Sequence, residues 1–249
     1  MMRGNLFTGA AYFVRGLAML TQPGLRRFVV IPLIANIVLF GLLASLLWSY
    51  VDALVMLVEG ALPDWLGFVT WLLLPIIWIA GGLLTGYGST LLVLLVTSPF
   101  HALLAEKVEE RVTGQPVPAL EGIAAAVADI PRALIRELRK FTYYVPMALL
   151  VLVVSFMPGL NVMAPLLWFL LGAWMMGLQF VDYPMDNHRL PFSDVRDACS
   201  AHRLTSMGFG GAVAFVSGIP LINFVVIPAA VIGATLFWCD DLRERALSH

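Results

Sequence analysis

Charged residues in this chain fall in blocks, and four long runs between the blocks carry none. The runs are residues 28–51 (24 residues), 65–105 (41), 141–181 (41) and 204–239 (36). At about 1.5 Å of rise per residue, the first is long enough to cross a hydrocarbon layer of about 30 Å as one helix. A water-soluble fold has no interior large enough to hide all four runs. Hydrophobic residues make up 60% of the chain and charged residues 12%, about half the charge of a soluble domain. Lipid is therefore the expected solvent, and the expected fold class is an all-α integral membrane protein.

The two 41-residue runs and the last run are too long for one simple span. Residues 65–105 read as one long second span that starts outside the hydrocarbon and ends near Thr97-Ser98-Pro99. The third and fourth runs are each interrupted by the same signature. Ser155, Pro158, Leu160 and Asn161 recur as Ser217, Pro220, Ile222 and Asn223, an S-x-x-P-x-[IL]-N pattern repeated 62 residues on. Proline and asparagine at such spacing break a helix and turn the chain. Residues 141–181 and 204–239 are thus expected to be helical hairpins. The arms of the second, residues 204–217 and 224–239, would be only about 21 to 24 Å long. That is short of a full crossing, which favours re-entrant hairpins over four thin transmembrane helices.

Charge asymmetry gives an orientation. Residues 1–27 carry four arginines and no acid, whereas residues 52–64 carry Asp52, Glu59 and Asp64 and no base. The excess of basic residues marks the cytoplasmic side, so the N-terminus is expected there and residues 52–64 outside. Two flanking helices are expected at the interface. In residues 5–20, Leu6, Phe7, Ala10, Phe13, Val14 and Leu17 share one face, with Tyr12 at headgroup level. Residues 117–140 read as a second helix ending in Arg132, Arg136, Arg139 and Lys140. The whole chain reads as one membrane domain, 1–249, with residues 106–140 a cytoplasmic-side helical region. Gly82-x-x-x-Gly86 in the second span signals close helix packing. No cleavable leader is evident.

Few residues suggest chemistry. Pro23-Gly24-Leu25-Arg26-Arg27 forms a turn where the first span begins. A helix start offers unpaired N–H groups and partial positive charge, and glycine lets an anion approach the backbone. Two guanidinium forks match a tetrahedral oxyanion. Gly24, Leu25, Arg26 and Arg27 are therefore candidates for anion binding, against the plainer role of anchoring in headgroups. Asn36, Ser89, Thr90, Gln179, Asn161 and Asn223 are neutral donors inside apolar runs, suited to passing an anion without trapping it. The tip asparagines serve equally well as helix caps. Glu106, Lys107, Glu109, Glu110 and Arg111 read as an ion-pair cluster, and the segment from Asp182 to His188 as a charged loop. Cys199 and Cys239 have neither disulfide nor metal-ligand spacing, and no metal or other cofactor is expected. With a net charge of −1, nucleic acid is not an expected partner. Neither a P-loop nor a hydrolase motif is present, so no enzyme reading has residues to rest on.

These residues resemble the CysZ-type sulfate permeases of bacteria. The resemblance runs from Gly16 through the Gly-Leu-Arg-Arg turn to Pro32 and Asn36. It continues in Ser98-Pro99-Phe100-His101 to Glu109, in Arg136 to Pro146, in Asp182-Tyr183-Pro184-Met185-Asp186-Asn187, and from Gly208 to Asn223 and Thr235. It implies sulfate uptake across the inner membrane for cysteine biosynthesis. The fold implied is two long transmembrane helices plus two partly inserted hairpins. It also implies a homo-oligomer, a hexamer, with membrane lipid and sulfate as its other partners. The implied sulfate site is Gly24, Leu25, Arg26 and Arg27, and the implied pore lining is Asn36, Ser89, Glu106, Asn161 and Asn223. The rival expectation is a membrane scaffold or regulator that assists a separate sulfate transporter.

Overall fold

A computed structural model describes residues 4–61, 67–117, 129–219 and 223–247. Among these the chain is helical, with no strand. The helices are α1 (Leu6–Met19), α2 (Arg26–Ala61), α3 (Gly67–Thr113), α4 (Ile130–Phe156), α5 (Ala164–Asn187), α6 (Phe192–Ala201), α7 (Arg203–Ser217), α8 (Asn223–Phe237) and the short α9 (Arg243–Ala246). A 3-10 turn at Asn161–Met163 precedes α5, and a π-helical turn at Trp238–Leu242 extends α8. Among the described residues, four segments have the length and apolar composition to cross a membrane: Ile37–Val58, Pro131–Phe156, Asn161–Asn187 and Val225–Leu242. The chain is an all-α membrane protein.

Contacts divide the chain into two compact units, residues 30–98 and the remainder. In the first, α2 packs on α3. Trp48 meets Trp78 edge-on at 5.1 Å, and Gly81 leaves room for Leu47 and Val51. Ile37, Phe40, Trp71 and Ile79 are exposed, which on a membrane helix is the surface offered to lipid. Within the charge-free run, α3 does not end near Thr97-Ser98-Pro99 as expected. It continues to Thr113, where Gly114 takes the left-handed backbone, φ 68°. A proline costs a helix less where neighbouring elements satisfy the freed backbone groups. Pro146, Pro184 and Pro228 likewise lie inside helices.

The second unit has a continuous core centred on α8. Val226 and residues 229–232 are fully buried, as are Ala234, Phe237 and Trp238. A helix apolar on every side is one surrounded by other helices. Its neighbours are α1, α5 and α7, and Leu104 and Val108 of α3 join the same core.

Small residues set how closely these helices approach. A Cβ on Gly9 would strike the Thr205 carbonyl, and one on Gly16 the Ala229 carbonyl. Gly208, Gly210 and Gly177 are equally tight against the backbones of Leu6, Ala173 and Ser206. Lipid provides no hydrophobic drive for helix association, so close backbone packing of this kind takes its place. The expectations for this packing need correction at two points. Gly82 has nothing within 4 Å of where its Cβ would be, so the first half of the Gly82-x-x-x-Gly86 pattern is not a contact. The α1 face turned to the protein is Gly9, Tyr12, Phe13 and Gly16, while Leu6, Phe7 and Val14 point outward. Tyr12 therefore faces protein rather than lipid headgroups. It is buried, its hydroxyl donates to Asp241 at 3.1 Å, and burial together with that carboxylate pushes its phenol up.

The chain turns around both repeated signatures. α4 ends at Phe156 and α5 begins at Ala164, while α7 ends at Ser217 and α8 begins at Asn223. Ser155 accepts from the Trp168 indole at 3.2 Å, and Trp174 donates to the Tyr143 hydroxyl at 3.1 Å, pinning α4 to α5. The separate helix expected over residues 117–140 is corrected in part. Residues 118–128 lie outside the described residues, and the basic stretch from Arg132 to Lys140 is the first part of α4 itself.

Candidate functional site

The turn before α2 is built by three devices. Gly24 has φ 93°, a conformation that glycine adopts at no steric cost. Leu25 is buried in the core at 2% exposure and anchors the turn. Arg26 then opens α2, so Arg26 and Arg27, both exposed, sit on the first turn of a 36-residue helix. The positive end of the helix dipole and the unpaired N–H groups of that turn favour an anion.

A third guanidinium completes the group. Arg111, near the end of α3, donates from Nη2 to the Pro23 carbonyl at 3.0 Å, and its Nη1 reaches Gln22 Oε1 at 3.4 Å. A Cβ on Gly24 would lie 3.9 Å from Arg111 Nη2, so guanidinium and glycine face each other across a small gap. Among the described residues, neither Arg26 nor Arg111 has a carboxylate partner. Their charge is thus available to an oxyanion, and Arg111 is fixed in place by neutral acceptors that leave that charge intact.

By sequence Arg111 belongs to a local ion-pair cluster, and the structure divides that cluster three ways. Lys107 pairs with Glu106 at 2.9 Å and Glu110 at 2.8 Å, and the hydrogen bonds to Glu110 and then Glu106 hold its ammonium pKa up. Glu109 turns into the core, fully buried. Its Oε1 accepts from His188 Nε2 at 2.8 Å and Trp238 Nε1 at 3.2 Å. Arg243 Nε lies 3.2 Å from the same oxygen, within ion-pair range but at an angle that makes no hydrogen bond. Only the turn of helix between 107, 109 and 111 separates these destinies, each on a different face.

The segment from Asp182 to His188, expected to be a charged loop, is instead helical through Asn187. Asp182 pairs with Arg136 at 2.5 Å and Lys140 at 2.6 Å, all three buried. Asp186 pairs with Arg132 at 2.7 Å and Arg136 at 3.0 Å. The i, i+4 spacing along both helices forms a ladder between α4 and α5. Asp129 takes Arg132 at 2.6 Å and Arg189 at 2.8 Å. The Arg132 hydrogen bond, reinforced by Arg189, lowers its carboxyl to about 2. With Glu137 on Lys140, four bases meet four acids. A balanced ladder holds helices in register but has no surplus charge to draw in an anion.

The other sequence candidates lie on several elements. Glu106 is buried beside Lys107. Asn161 is exposed at the start of the 3-10 turn, and its side chain caps no helix. Asn36 lies in α2, Ser89 in α3 and Asn223 at the start of α8; the placement of their side chains lies outside what is described. Gly24, Leu25, Arg26 and Arg27 share one turn, with Arg111 against it.

The profile of the family described as "Sulfate transporter CysZ/Etoposide-induced protein 2.4" matches residues 12–228. The chain belongs to this family. The match spans the Gly24 turn, the Arg111 segment, the α4–α5 ladder and both repeated signatures. A sulfate transporter family is not an enzyme class.

Proposed function

We propose that this protein carries sulfate across the inner membrane into the cytoplasm, feeding cysteine biosynthesis, as an oligomeric channel-like permease. The observation that carries the reading is the convergence of Arg111 on the Gly24 turn. Three guanidinium groups, an exposed helix start and a glycine without a side chain make a dianion station without a metal. Sulfate is held first at Gly24, Leu25, Arg26 and Arg27, with Arg111 beside them. It then passes neutral donors, for which Asn36, Ser89, Asn161 and Asn223 are the candidates, with Glu106 at the cytoplasmic end. Neutral donors replace hydration water without binding so tightly that the ion stays. An inside-negative potential opposes entry by about 2.3 kcal/mol per charge per 100 mV, roughly double for a dianion. Metabolic consumption of sulfate inside the cell sustains the inward gradient.

The test is uptake of labelled sulfate into liposomes containing only the purified protein, beside an R26A/R27A variant. Saturable uptake that the double variant loses is the expected result. Folded, oligomeric protein with no uptake above empty liposomes would instead favour the accessory scaffold or regulator.

A further inference from the structure

A second basic feature lies away from the Gly24 turn, and the balanced ladder does not absorb it. A cleft of about 350 Å³ lies between α4 and the start of α6, lined by Arg139, Thr142 and Tyr143 on one side and Phe192, Ser193 and Arg196 on the other. Both arginines are exposed. Arg139 has no carboxylate partner among the described residues, and Arg196 has only the 3.4 Å approach of exposed Asp197. No acid lines the cleft. Tyr143 forms its back wall, set edge-on to Phe192 at 5.8 Å, with the Arg196 guanidinium 5.9 Å from the ring centre. Two guanidinium forks around one hollow are donors for a phosphate-type oxyanion, while the Thr142 hydroxyl already donates to the Arg139 carbonyl at 2.8 Å and that of Ser193 to Asp194 at 3.1 Å.

The surroundings identify the source of that oxyanion. Arg139 stands at the basic end of a helix long and apolar enough to cross a membrane. On the same face of α4, at seven, eleven and fourteen residues further on, are Pro146, Leu150 and Val153, all exposed. Fourteen residues of helix rise about 21 Å, more than half of a hydrocarbon core of about 30 Å. A charged hollow at the headgroup level, continued by an apolar stripe the length of an acyl chain, has the shape of one phospholipid. A free sulfate ion would use the hollow and leave the stripe without purpose.

We propose that the Arg139–Arg196 cleft binds the headgroup phosphate of an anionic phospholipid, with an acyl chain along Pro146, Leu150 and Val153. The test uses the full-length oligomer in neutral detergent with phosphatidylglycerol or phosphatidylcholine, read by native mass spectrometry and thermal melting. Phosphatidylglycerol is expected to be retained and to raise the melting temperature, and phosphatidylcholine to do so far less. R139Q/R196Q is expected to weaken phosphatidylglycerol retention about tenfold while melting as before in phosphatidylcholine, which shows that it folds. R139K/R196K keeps the charge without the forks and is expected to fall between. R26Q/R27Q is expected to retain the phosphatidylglycerol response, separating this cleft from the Gly24 turn. Equal response to the two lipids would overturn the proposal. So would an unchanged response in R139Q/R196Q, or displacement of the bound lipid by millimolar sulfate.

Discussion

Arg111 illustrates how one residue's role depends on its neighbours in space. On the chain it follows Glu109 and Glu110, and adjacency suggests a local ion pair. On the helix its side chain points to the Pro23 carbonyl instead. Losing one charge-assisted donor at an oxyanion site costs about 1.5–3 kcal/mol. R111A should therefore weaken sulfate binding by roughly ten- to a hundredfold, measured by equilibrium binding to purified protein. R111K should recover part of that loss, because an ammonium cannot bridge Pro23 and an anion in one plane. Undiminished affinity in R111A would remove Arg111 from the site. Glu109 makes the complementary case. It is a buried carboxylate facing an imidazole, an indole and a guanidinium, and E109A strands all three. Breaking such a buried group typically costs about 3–5 kcal/mol, so a large fall in melting temperature is expected, with Glu109→Gln less severe. The Gly24-Leu25-Arg26-Arg27 turn was readable from sequence because its residues are consecutive. Arg111, Glu109 and His188 were not, because their partners lie more than seventy residues away.

At the scale of elements, hydropathy located the helices and the repeated proline–asparagine signatures located the turns. It could not say which faces meet. Apolar periodicity picked the Leu6, Phe7, Ala10, Phe13, Val14 and Leu17 face of α1 as the one turned to the membrane interface; Leu6, Phe7 and Val14 are exposed, Phe13 is buried, and the side packed on protein is the glycine face. In lipid an apolar face needs no protein to cover it, whereas a backbone can approach another backbone only where no Cβ intervenes. Gly16→Ala should accordingly lower the melting temperature, since overpacking of this kind costs about 1–3 kcal/mol. Gly82→Ala, with open space around it, should change it little. The comparison by differential scanning fluorimetry in one detergent tests the packing directly, and equal effects would refute it. Asp129 supplies a pH signature for the α4 end of the ladder. Its carboxyl is held at about 2 against an ordinary 3.8. Its contribution to stability is thus complete above pH 3.8 and disappears as pH falls from there toward 2. Asp129→Asn should lower stability at neutral pH and flatten the melting-temperature decline across that acid window. A decline as steep as that of the unaltered protein would assign the acid sensitivity to other carboxylates.

For the whole molecule the open question is how deeply the α4–α5 hairpin enters the bilayer, and the ladder bears on it. The two helices are 27 and 24 residues long, about 40 and 36 Å, ample for a crossing by length alone. Arg132, Arg136 and Lys140 occupy the beginning of α4, however, and Asp182 and Asp186 the end of α5. What remains free of charge is residues 141–156 and 164–181, about 24 and 27 Å. Charges in the hydrocarbon are costly even when paired, which places the ladder at or near the headgroups. We predict on this ground that the apolar arms stop a few Å short of the opposite face, with the exposed Asn161 tip within the bilayer. This is the geometry expected of an element that lines a polar path, since a backbone break at membrane depth is tolerated where it borders protein or water. It can be read with a single cysteine at Asn161 in a background where Cys239 is serine. Cys199 can stay, because it is fully buried and burial pushes its thiol up to about 12, leaving almost no reactive thiolate. In sealed vesicles of known orientation, a bulky membrane-impermeant maleimide on the side opposite the N-terminus should label a cysteine at position 60, on α2 beyond the Ile37–Val58 segment. It should leave the Asn161→Cys variant unlabelled, while a small permeant thiol reagent modifies both. Equal labelling of the two by the bulky reagent would mean that the hairpin crosses completely and that Asn161 belongs to the outer surface rather than to the pore.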